Sequence, residues 1–243
     1  MPEPRDVTWD GFVNARDLGG LPTRQGAHTT PGAFIRSGDL RFVTQAGWVA
    51  AWNAGVRTIV DLRNDDEVSR DHSLHPGATV VTLERVRLPL DGIDDVDFWA
   101  DLRRQGLDGT PLYLRSFLDR KAERCAAVIR ALARTAPGGV LFHCGAGRDR
   151  TGLVALLLLA LADVEPEAIA EDYAASASRL APVFAAMGRP DEGPIIELVM
   201  RRRGTTTREA IRDLLTSTDV AAVLLDAGAR HHDVDTVRAR LLG

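Results

Sequence analysis

Residues 139–159 read "GVLFHCGAGRDRTGLVALLLL", and this stretch decides how the rest of the chain is interpreted. The apolar residues 139–143 predict a buried strand, and the glycines that follow them predict a tight loop. A helix expected to begin near Thr151 places its partial positive end beside that loop. Such a loop turns successive backbone N–H groups toward one point, so the stretch predicts an anion-binding loop between a strand and a helix.

Three other runs read as strands. The run "VRTIVDL" (56–62) is the clearest, while "AFIRS" (33–37) and "ATVVTL" (78–83) are weaker, with residues 85–88 as a candidate extension of the last. Thr44 can cap a helix through Asn53, and Asp119 precedes a long helix over 120–134. Because strands alternate with helices, the sequence predicts an α/β fold with a central, mostly parallel sheet flanked by helices.

The chain after the loop reads as helical throughout. Residues 181–193, "APVFAAMGRPDEG", are rich in small residues, Pro and Gly and predict a mobile connection or lid. We therefore expect one domain over residues 1–243, with a helical C-terminal tail that serves as a lid. The expected helices lie at 151–163, 166–179, 194–203, 207–216, 219–227 and 233–242.

Composition and charge restrict the partners that fit this chain. Of its 243 residues, 45% are hydrophobic, which is enough for a substantial core. The net charge of −4 offers no basic field to nucleic acid or to an anionic membrane. The longest apolar run, residues 153–162, is far shorter than the roughly 20 residues of a membrane-spanning helix. Two cysteines are too few for a disulfide framework, which predicts a cytoplasmic protein or one secreted by a signal-less route.

Cys144 stands at the head of the loop, and Arg150 follows six positions later. The loop amides, the helix end and the guanidinium groups of Arg148 and Arg150 would all favour the thiolate of Cys144. The planar fork of Arg150 suits two oxygens of a phosphoryl group. These are the parts required for nucleophilic phosphoryl transfer. The predicted phosphate-binding residues are Gly145, Ala146, Gly147, Arg148, Asp149 and Arg150.

The segment "HCGAGRDRTG" (143–152) resembles the signature HCxxGxxR[ST] of the cysteine-dependent protein tyrosine phosphatases. The segments "NARDLGG" (14–20), "IRSGDL" (35–40) and "VRTIVDLR" (56–63) are similar to the bacterial branch that includes mycobacterial protein tyrosine phosphatase B. The resemblance implies a phosphatase sheet with extra C-terminal helices as a lid.

The loop departs from that branch at one position. Close members carry lysine where this chain has Arg148, and that lysine accompanies activity on phosphoinositides. Arginine keeps the charge but changes its shape and reach. We therefore expect phosphotyrosine or a similar aryl phosphate as the better substrate, with phosphoserine, phosphothreonine and phosphoinositides secondary. Arg16 and Arg36 are further candidate cations for a multiply phosphorylated ligand, and the sequence does not give their place.

Three aspartates are candidates for the general acid that protonates the leaving group. Asp149 lies within the loop and is the acid that the family resemblance implies, although its arginine neighbours would favour its ionised form. Asp61 ends a strand expected beside the cysteine strand, where it would act as the acid or hold an arginine. Asp91 follows "RLPL", roughly where other phosphatases carry a mobile acid loop. We rank them in that order.

Four other residues receive supporting interpretations. The side chain of His143 should point away from the loop, because it directly precedes the nucleophile on the strand. Arg63 either binds the carboxylate two residues before it or faces solvent, and Asp17 forms a turn or borders the pocket. Thr151 reads as a capping residue, and the family resemblance adds a hydrogen bond from its hydroxyl to the nucleophilic sulfur.

Cys125 lies on the apolar face of a helix and reads as a core residue. The six histidines form no ligand cluster, so no metal or cofactor is expected. Two other functions fit the same loop: a rhodanese-like sulfurtransferase and a catalytically silent phosphate-binding module. The spacing from Cys144 to Arg150 favours a phosphatase that forms a cysteinyl-phosphate intermediate on a phosphorylated protein or small phosphomonoester.

Overall fold

The structure, a computed structural model, describes residues 5–69, 82–186 and 188–243. A five-stranded sheet at its centre contains β1 (Arg16–Asp17), β2 (Phe34–Ser37), β3 (Val56–Asp61), β4 (Glu84–Arg87) and β5 (Gly139–His143). The strand order is β1-β2-β5-β3-β4. β1 is antiparallel to β2 and the other neighbours are parallel. The predicted mostly parallel sheet is confirmed.

The predicted strands occur within one residue of their expected bounds as β2, β3 and β5. The candidate extension at residues 85–88 is observed as β4. Residues 78–81, the first part of that predicted strand, lie outside the described residues.

The carboxyl ends of the three central strands meet at one place. His143 at the end of β5 pairs with Ser37 of β2 on one side and with Asp61 of β3 on the other. Cys144 follows immediately, so the segments that leave β2 and β3 surround the start of the glycine-rich loop. In open parallel sheets this edge is where ligands bind.

Helices pack on both faces of the sheet. They are α1 (Gln45–Asn53), α2 (Asp65–Ser69), α3 (Val96–Gln105), α4 (Tyr113–Arg134), α5 (Asp149–Leu161), α6 (Pro166–Ala174), α7 (Ser176–Ala186), α8 (Gly193–Arg202), α9 (Thr207–Thr216), α10 (Val220–Asp226) and α11 (His231–Leu242), with a short 3-10 helix at Leu40–Phe42. The first of them begins as predicted, with the Thr44 hydroxyl accepting from the Gly47 N–H (3.2 Å).

Strand residues alternate between two apolar clusters, as the period of a β-strand requires. One cluster lies against α1 and includes Ile35, Ile59 and Leu141. The other lies against α4 and α5 and includes Phe34, Val60 and Phe142. α5 is buried along most of its length, which matches its apolar sequence. Burial of each fully buried leucine in it contributes about 2 kcal/mol to the free energy of folding. None of the described helices is both long and apolar enough to span a membrane.

The helices differ most from expectation at three places. α4 begins at Tyr113 and is interrupted at Lys121, whose backbone is not helical (φ −134°, ψ 27°), so the predicted helix over 120–134 is only its second half. The predicted helix over 166–179 is two helices that meet at Ala175. α7 continues through residues 181–186, so the first part of the expected mobile connection is helical.

Candidate active site

Cys144 lies at the base of a cavity of about 440 Å³ at the carboxyl end of β5. Its side chain is almost completely buried, and the cavity is lined beside it by Gly145, Ala146, Arg148, Asp149 and Arg150 of the loop and the start of α5. The helix begins at Asp149, two residues earlier than expected, so Arg150 sits within its first turn. The partial positive end of the helix therefore faces the same space as the sulfur.

The carbonyl groups of the loop are bonded to the protein behind it. The Asp39 N–H donates to the Gly145 carbonyl (2.7 Å). The side-chain amide of Asn14 donates to the carbonyls of Ala146 (3.0 Å) and Gly147 (3.1 Å). Because the C=O and N–H of a planar trans peptide point in opposite directions, the next N–H after each of these carbonyls points toward the cavity. No described residue accepts a hydrogen bond from these three N–H groups.

Gly147 is the position where the loop backbone approaches its support most closely. Its φ of +71° lies in the left-handed region, and a Cβ there would come within 2.6 Å of the Gly38 nitrogen and 2.7 Å of the Ser37 carbonyl oxygen. Its own carbonyl accepts a second hydrogen bond, from Arg36 Nη2 (2.8 Å). The loop conformation therefore requires glycine at this position.

The guanidinium of Arg150 is held at one end. Glu67 of α2 accepts from both Nη1 and Nη2, the latter at 2.8 Å, and Asp91 Oδ2 lies 3.3 Å from Nη1. Although burial lowers it, these carboxylates raise the pKa of Arg150 above its ordinary value. Glu67 uses one hydrogen on each Nη atom, which leaves the side fork of Nε–H and the second Nη2–H for a ligand.

Asp149 borders the cavity, with its side chain about one quarter exposed. Its carboxylate accepts from Arg148 Nε (3.2 Å) and from the buried Tyr173 hydroxyl (3.5 Å). Arg148 in turn pairs with Glu192, at 3.0 Å from Nη2. Asp149 is the only one of the three candidate acids among the residues that line the described cavity.

Asp61 lies below the cavity and binds Arg63. Its carboxylate accepts from Arg63 Nε (3.0 Å) and Nη2 (2.8 Å), and His143 Nε2 is 3.7 Å away. Burial raises the pKa of Asp61, but these hydrogen bonds and the histidine outweigh it, so the net pKa is below its ordinary value. Arg63 is buried and lines the cavity, so of its two interpretations the geometry matches binding to the carboxylate.

Asp91 contacts Arg150 from outside the loop. The Asn64 side chain donates to it (2.8 Å), and its carboxylate is largely buried. Burial raises the pKa of Asp91 above its ordinary value even though Arg150 and Asn64 both favour the ionised form. The raised pKa suits a proton donor, while the position beside Arg150 suits a group that orients the guanidinium.

The other three predicted residues lie outside the cavity lining. His143 is buried, with Nδ1 3.2 Å from the Cys144 carbonyl, and burial lowers its pKa to about 4. The Thr151 hydroxyl donates to the Ser37 carbonyl at 3.5 Å. Asp17 accepts from the N–H groups of Gly19 (2.8 Å) and Gly32 (2.7 Å), which is the turn-forming interpretation.

The helical tail supplies the wall opposite the loop. Leu180, Val183 and Phe184 of α7 give this wall an apolar surface, and Arg189 and Glu192 extend it toward α8. The residues of the expected lid thus border the cavity, and the pair between Glu192 and Arg148 connects them to the loop.

Sequence reasoning missed Glu67, Asn14 and Glu192. Glu67 had a local signal, since it follows Asn64 by three residues and accepts from its N–H (2.9 Å), a first-turn helix pattern. Asn14 stands in the quoted segment "NARDLGG" but received no role. The candidate cations Arg16 and Arg36 are fully buried behind the loop and do not lie at the cavity rim.

A sequence model described as the tyrosine phosphatase family matches residues 7–243. The chain belongs to the tyrosine phosphatase family. The family predicted from the segments around Cys144 is thereby confirmed, and the loop described above is this chain's match to the family signature.

Three relatives match over a large part of the chain. A Cupriavidus necator protein assigned by name to the tyrosine-protein phosphatases is 33% identical over 181 residues, covering 72% of this chain and 64% of the relative. A tyrosine-protein phosphatase of Nostoc commune is 34% identical, covering 61% and 49%. The triple specificity protein phosphatase PtpB of Mycobacterium tuberculosis is 29% identical, covering 67% and 66%. The chain thus spans about half to two thirds of the length of these relatives.

Among solved structures, the phosphatase TpbA of P. aeruginosa matches with a TM-score of 0.40 and 17% identity, covering 88% of this chain and 91% of that one. The family assignment of the chain rests on its sequence and not on this likeness.

Proposed function

We propose that this chain is a phosphatase that hydrolyses phosphotyrosine-type phosphomonoesters through a cysteinyl-phosphate intermediate. The observation that carries the proposal is the orientation of the loop, in which three consecutive carbonyls are bonded outward behind Cys144. Three N–H groups then converge on the space above the sulfur, where the equatorial oxygens of a phosphoryl group would lie. Family membership favours phosphoryl transfer over sulfur transfer.

The reaction has two steps. In the first, the Cys144 thiolate attacks phosphorus, the bond between phosphorus and the ester oxygen breaks, and a carboxylic acid protonates that oxygen as the alcohol or phenol departs. In the second, water attacks the phosphocysteine, the P–S bond breaks, and the carboxylate accepts the proton of the water. The loop N–H groups and the side fork of Arg150 bind the charge that develops on the phosphoryl oxygens.

We assign the general acid to Asp149. A general acid must reach the leaving oxygen, and Asp149 is the candidate whose carboxylate borders the cavity beside the loop. The carboxylates of Asp61 and Asp91 lie outside the cavity lining, where they bind Arg63 and Arg150 respectively. We therefore assign these two aspartates to holding arginines in place, so the sequence ranking with Asp149 first is kept.

An aryl phosphate suits the shape of the cavity. The phosphoryl site lies at its base, and the apolar side chains of α7 lie opposite, where they could pack against a phenyl ring. Phosphoserine, phosphothreonine and phosphoinositides are secondary substrates in this proposal. They are worth testing because the M. tuberculosis relative is named a triple specificity protein phosphatase.

The test is phosphate release from a phosphotyrosine peptide, matched phosphoserine and phosphothreonine peptides, and a soluble short-chain phosphoinositide at one ionic strength. The phosphotyrosine peptide should give the highest kcat/KM, and Cys144→Ser should release no phosphate. A higher kcat/KM on the phosphoinositide would overturn the substrate assignment. Phosphate release by Cys144→Ser at an appreciable rate would overturn the mechanism, and thiosulfate turnover by a protein without phosphatase activity would replace it with sulfur transfer.

A further inference from the structure

A buried polar cluster lies directly behind the phosphate-binding loop. It consists of Asn14, Arg16, Arg36, Asp172 and Ser176, each at most 6% exposed. Two arginines buried this completely are unusual, because a buried charge is costly unless it is paired. Of this cluster, the proposed mechanism has so far used only the two hydrogen bonds from Asn14 and the one from Arg36 to the loop.

Asp172 of α6 is the centre of the cluster. It accepts from Arg36 Nη1, from Arg16 Nε (3.1 Å) and from Arg5 Nη1 (3.0 Å). Burial raises the pKa of Asp172, but the three guanidinium groups outweigh it and the net pKa is well below its ordinary value. The carboxylate therefore stays ionised, and its ion pair with Arg36 fixes the orientation of that guanidinium.

Arg36 carries this orientation to the loop. While Nη1 is bound to Asp172, Nη2 donates to the Gly147 carbonyl (2.8 Å) and lies 3.4 Å from the Ser176 hydroxyl. Ser176 begins α7, so one guanidinium connects the loop, α6 and the first residue of the helix that lines the opposite wall.

Asn14 is fixed in the same way. Its Oδ1 accepts from Arg16 Nη1 (2.5 Å), which leaves Nδ2 facing the carbonyls of Ala146 and Gly147. Its backbone φ of 50° lies in the left-handed region, which asparagine tolerates better than most residues. Both ends of the side-chain amide are therefore used, and its orientation is determined by Arg16.

We propose that Asn14 and Arg36 are positioning residues that hold the peptide groups at 146–148 with their N–H bonds toward the phosphoryl oxygens. They touch no substrate, because they bind the carbonyl side of the same peptides. Asp172 and Arg16 set the orientation of the two donors. The expected effect of these residues on kcat/KM rests on the proposed function. Their expected effect on the binding of an oxyanion does not.

The decisive variant is Asn14→Asp, which keeps the size of the side chain and its acceptance from Arg16 but turns an acceptor toward two carbonyls. In a Cys144→Ser background, calorimetry with tungstate should show at least a tenfold loss of affinity. In the otherwise wild-type enzyme, kcat/KM should fall about 100-fold, and equally for aryl phosphates with good and poor leaving groups, because the loop N–H groups serve both.

Asn14→Gly is the second variant, since glycine keeps the left-handed backbone and deletes only the amide. Its matched control is Asp163→Gly, which removes a side chain from another left-handed position (φ 56°), where the carboxylate contacts the exposed side chains of Arg24 and Gln25. We expect Asn14→Gly to lose tungstate affinity and Asp163→Gly to keep it and to keep the wild-type kcat/KM.

The inference is overturned if folded Asn14→Asp binds tungstate within twofold of its parent. If that variant does not fold, the same result for Asn14→Gly overturns it. A fall in melting temperature with unchanged tungstate affinity would indicate a purely structural role and also overturns it. If the wild type releases no phosphate from any phosphomonoester, the proposed function fails, and the tungstate measurement still decides whether these residues position the loop.

Discussion

The two sides of the proposed phosphate-binding loop are held by different kinds of contact. The inner contacts come from Asn14 and Arg36, which are at most 6% exposed and donate to backbone carbonyls, while the equally buried Asp172 orients Arg36. The outer contacts, from Glu67, Asp91 and Glu192, have side chains 30%, 15% and 46% exposed and end on arginine side chains. Buried bonds to backbone fix a conformation more firmly than part-exposed ion pairs do. The loop backbone is therefore set before a ligand arrives, while its arginines keep freedom to adjust.

The largest effect should come from removing the nucleophile. Cys144→Ser should lower kcat by about four orders of magnitude or more, because a serine hydroxyl does not ionise near neutral pH. Inorganic phosphate should still bind, since the inner contacts that orient the loop amides remain. Calorimetry with phosphate checks this, and a loss of binding together with turnover would show that the sulfur itself maintains the loop.

Asp149→Asn should have the next largest effect. Aryl phosphates with poor leaving groups should slow by about 10²- to 10⁴-fold, and activated ones far less, because an activated leaving group needs no proton. A series of substituted phenyl phosphates measures this dependence. Asp91→Asn is the control, because loss of a contact to Arg150 should slow all members of the series alike; leaving-group dependence in that variant would make Asp91 the acid.

The pH dependence of the free energy of unfolding tests the environment of His143, on the buried side of the site. Its pKa of about 4, against an ordinary 6.5, means that the folded protein resists protonation of this histidine. The stability it contributes is fully present above about pH 6.5 and is lost as pH falls toward 4, by about 3 kcal/mol at most. Denaturant unfolding at pH 7 and pH 4 should show a smaller pH-dependent loss for His143→Gln than for wild type. The control His28→Gln, at an exposed position, should lose as much stability as wild type between pH 7 and pH 4. An equal loss for His143→Gln and wild type would show that His143 is not the source of this pH dependence.

Glu67→Gln should have the smallest effect of the four. One charge-assisted contact to Arg150 is weakened while the loop backbone stays in place, so kcat/KM should fall about tenfold, or about 1.4 kcal/mol. Glu197→Gln, in an exposed pair with Arg201, is the matched control and should change nothing. If Glu67→Gln lowers kcat/KM more than Asn14→Asp does, the outer contacts of the loop matter more for activity than the inner ones.

What the sequence could predict was local. The strand, glycine loop and helix around Cys144 follow from apolar runs and glycine positions within about twenty residues, and the neighbouring strands follow from the same kind of pattern. Their order in the sheet places Asp61 beside His143, as expected for adjacent parallel strands. Short-range rules sufficed here because each element is specified by its own residues.

The contacts that orient the loop could not be predicted in this way. Asn14 reaches carbonyls more than 130 residues away along the chain, and Glu67 reaches an arginine 83 residues away. The sequence could not place Arg16 and Arg36, because their buried counter-charge, Asp172, lies on the distant helix α6. The partners of Lys121, at the interruption of α4, are also distant in the sequence, since its buried ammonium donates to the Gly92 carbonyl (3.1 Å) and to Asp95 (3.2 Å).

The burial of Cys125 has a consequence for oxidative damage. This thiol is fully enclosed in the core, where burial raises its pKa to about 12, and it is the only other cysteine in the chain. If a peroxide converts the Cys144 thiolate to a sulfenic acid, the folded chain offers no second thiol to trap that state as an internal disulfide. Recovery of an oxidised molecule would then depend on a thiol supplied from outside, such as a small-molecule reductant. Without one, further peroxide would carry the nucleophile to the irreversible sulfinic acid.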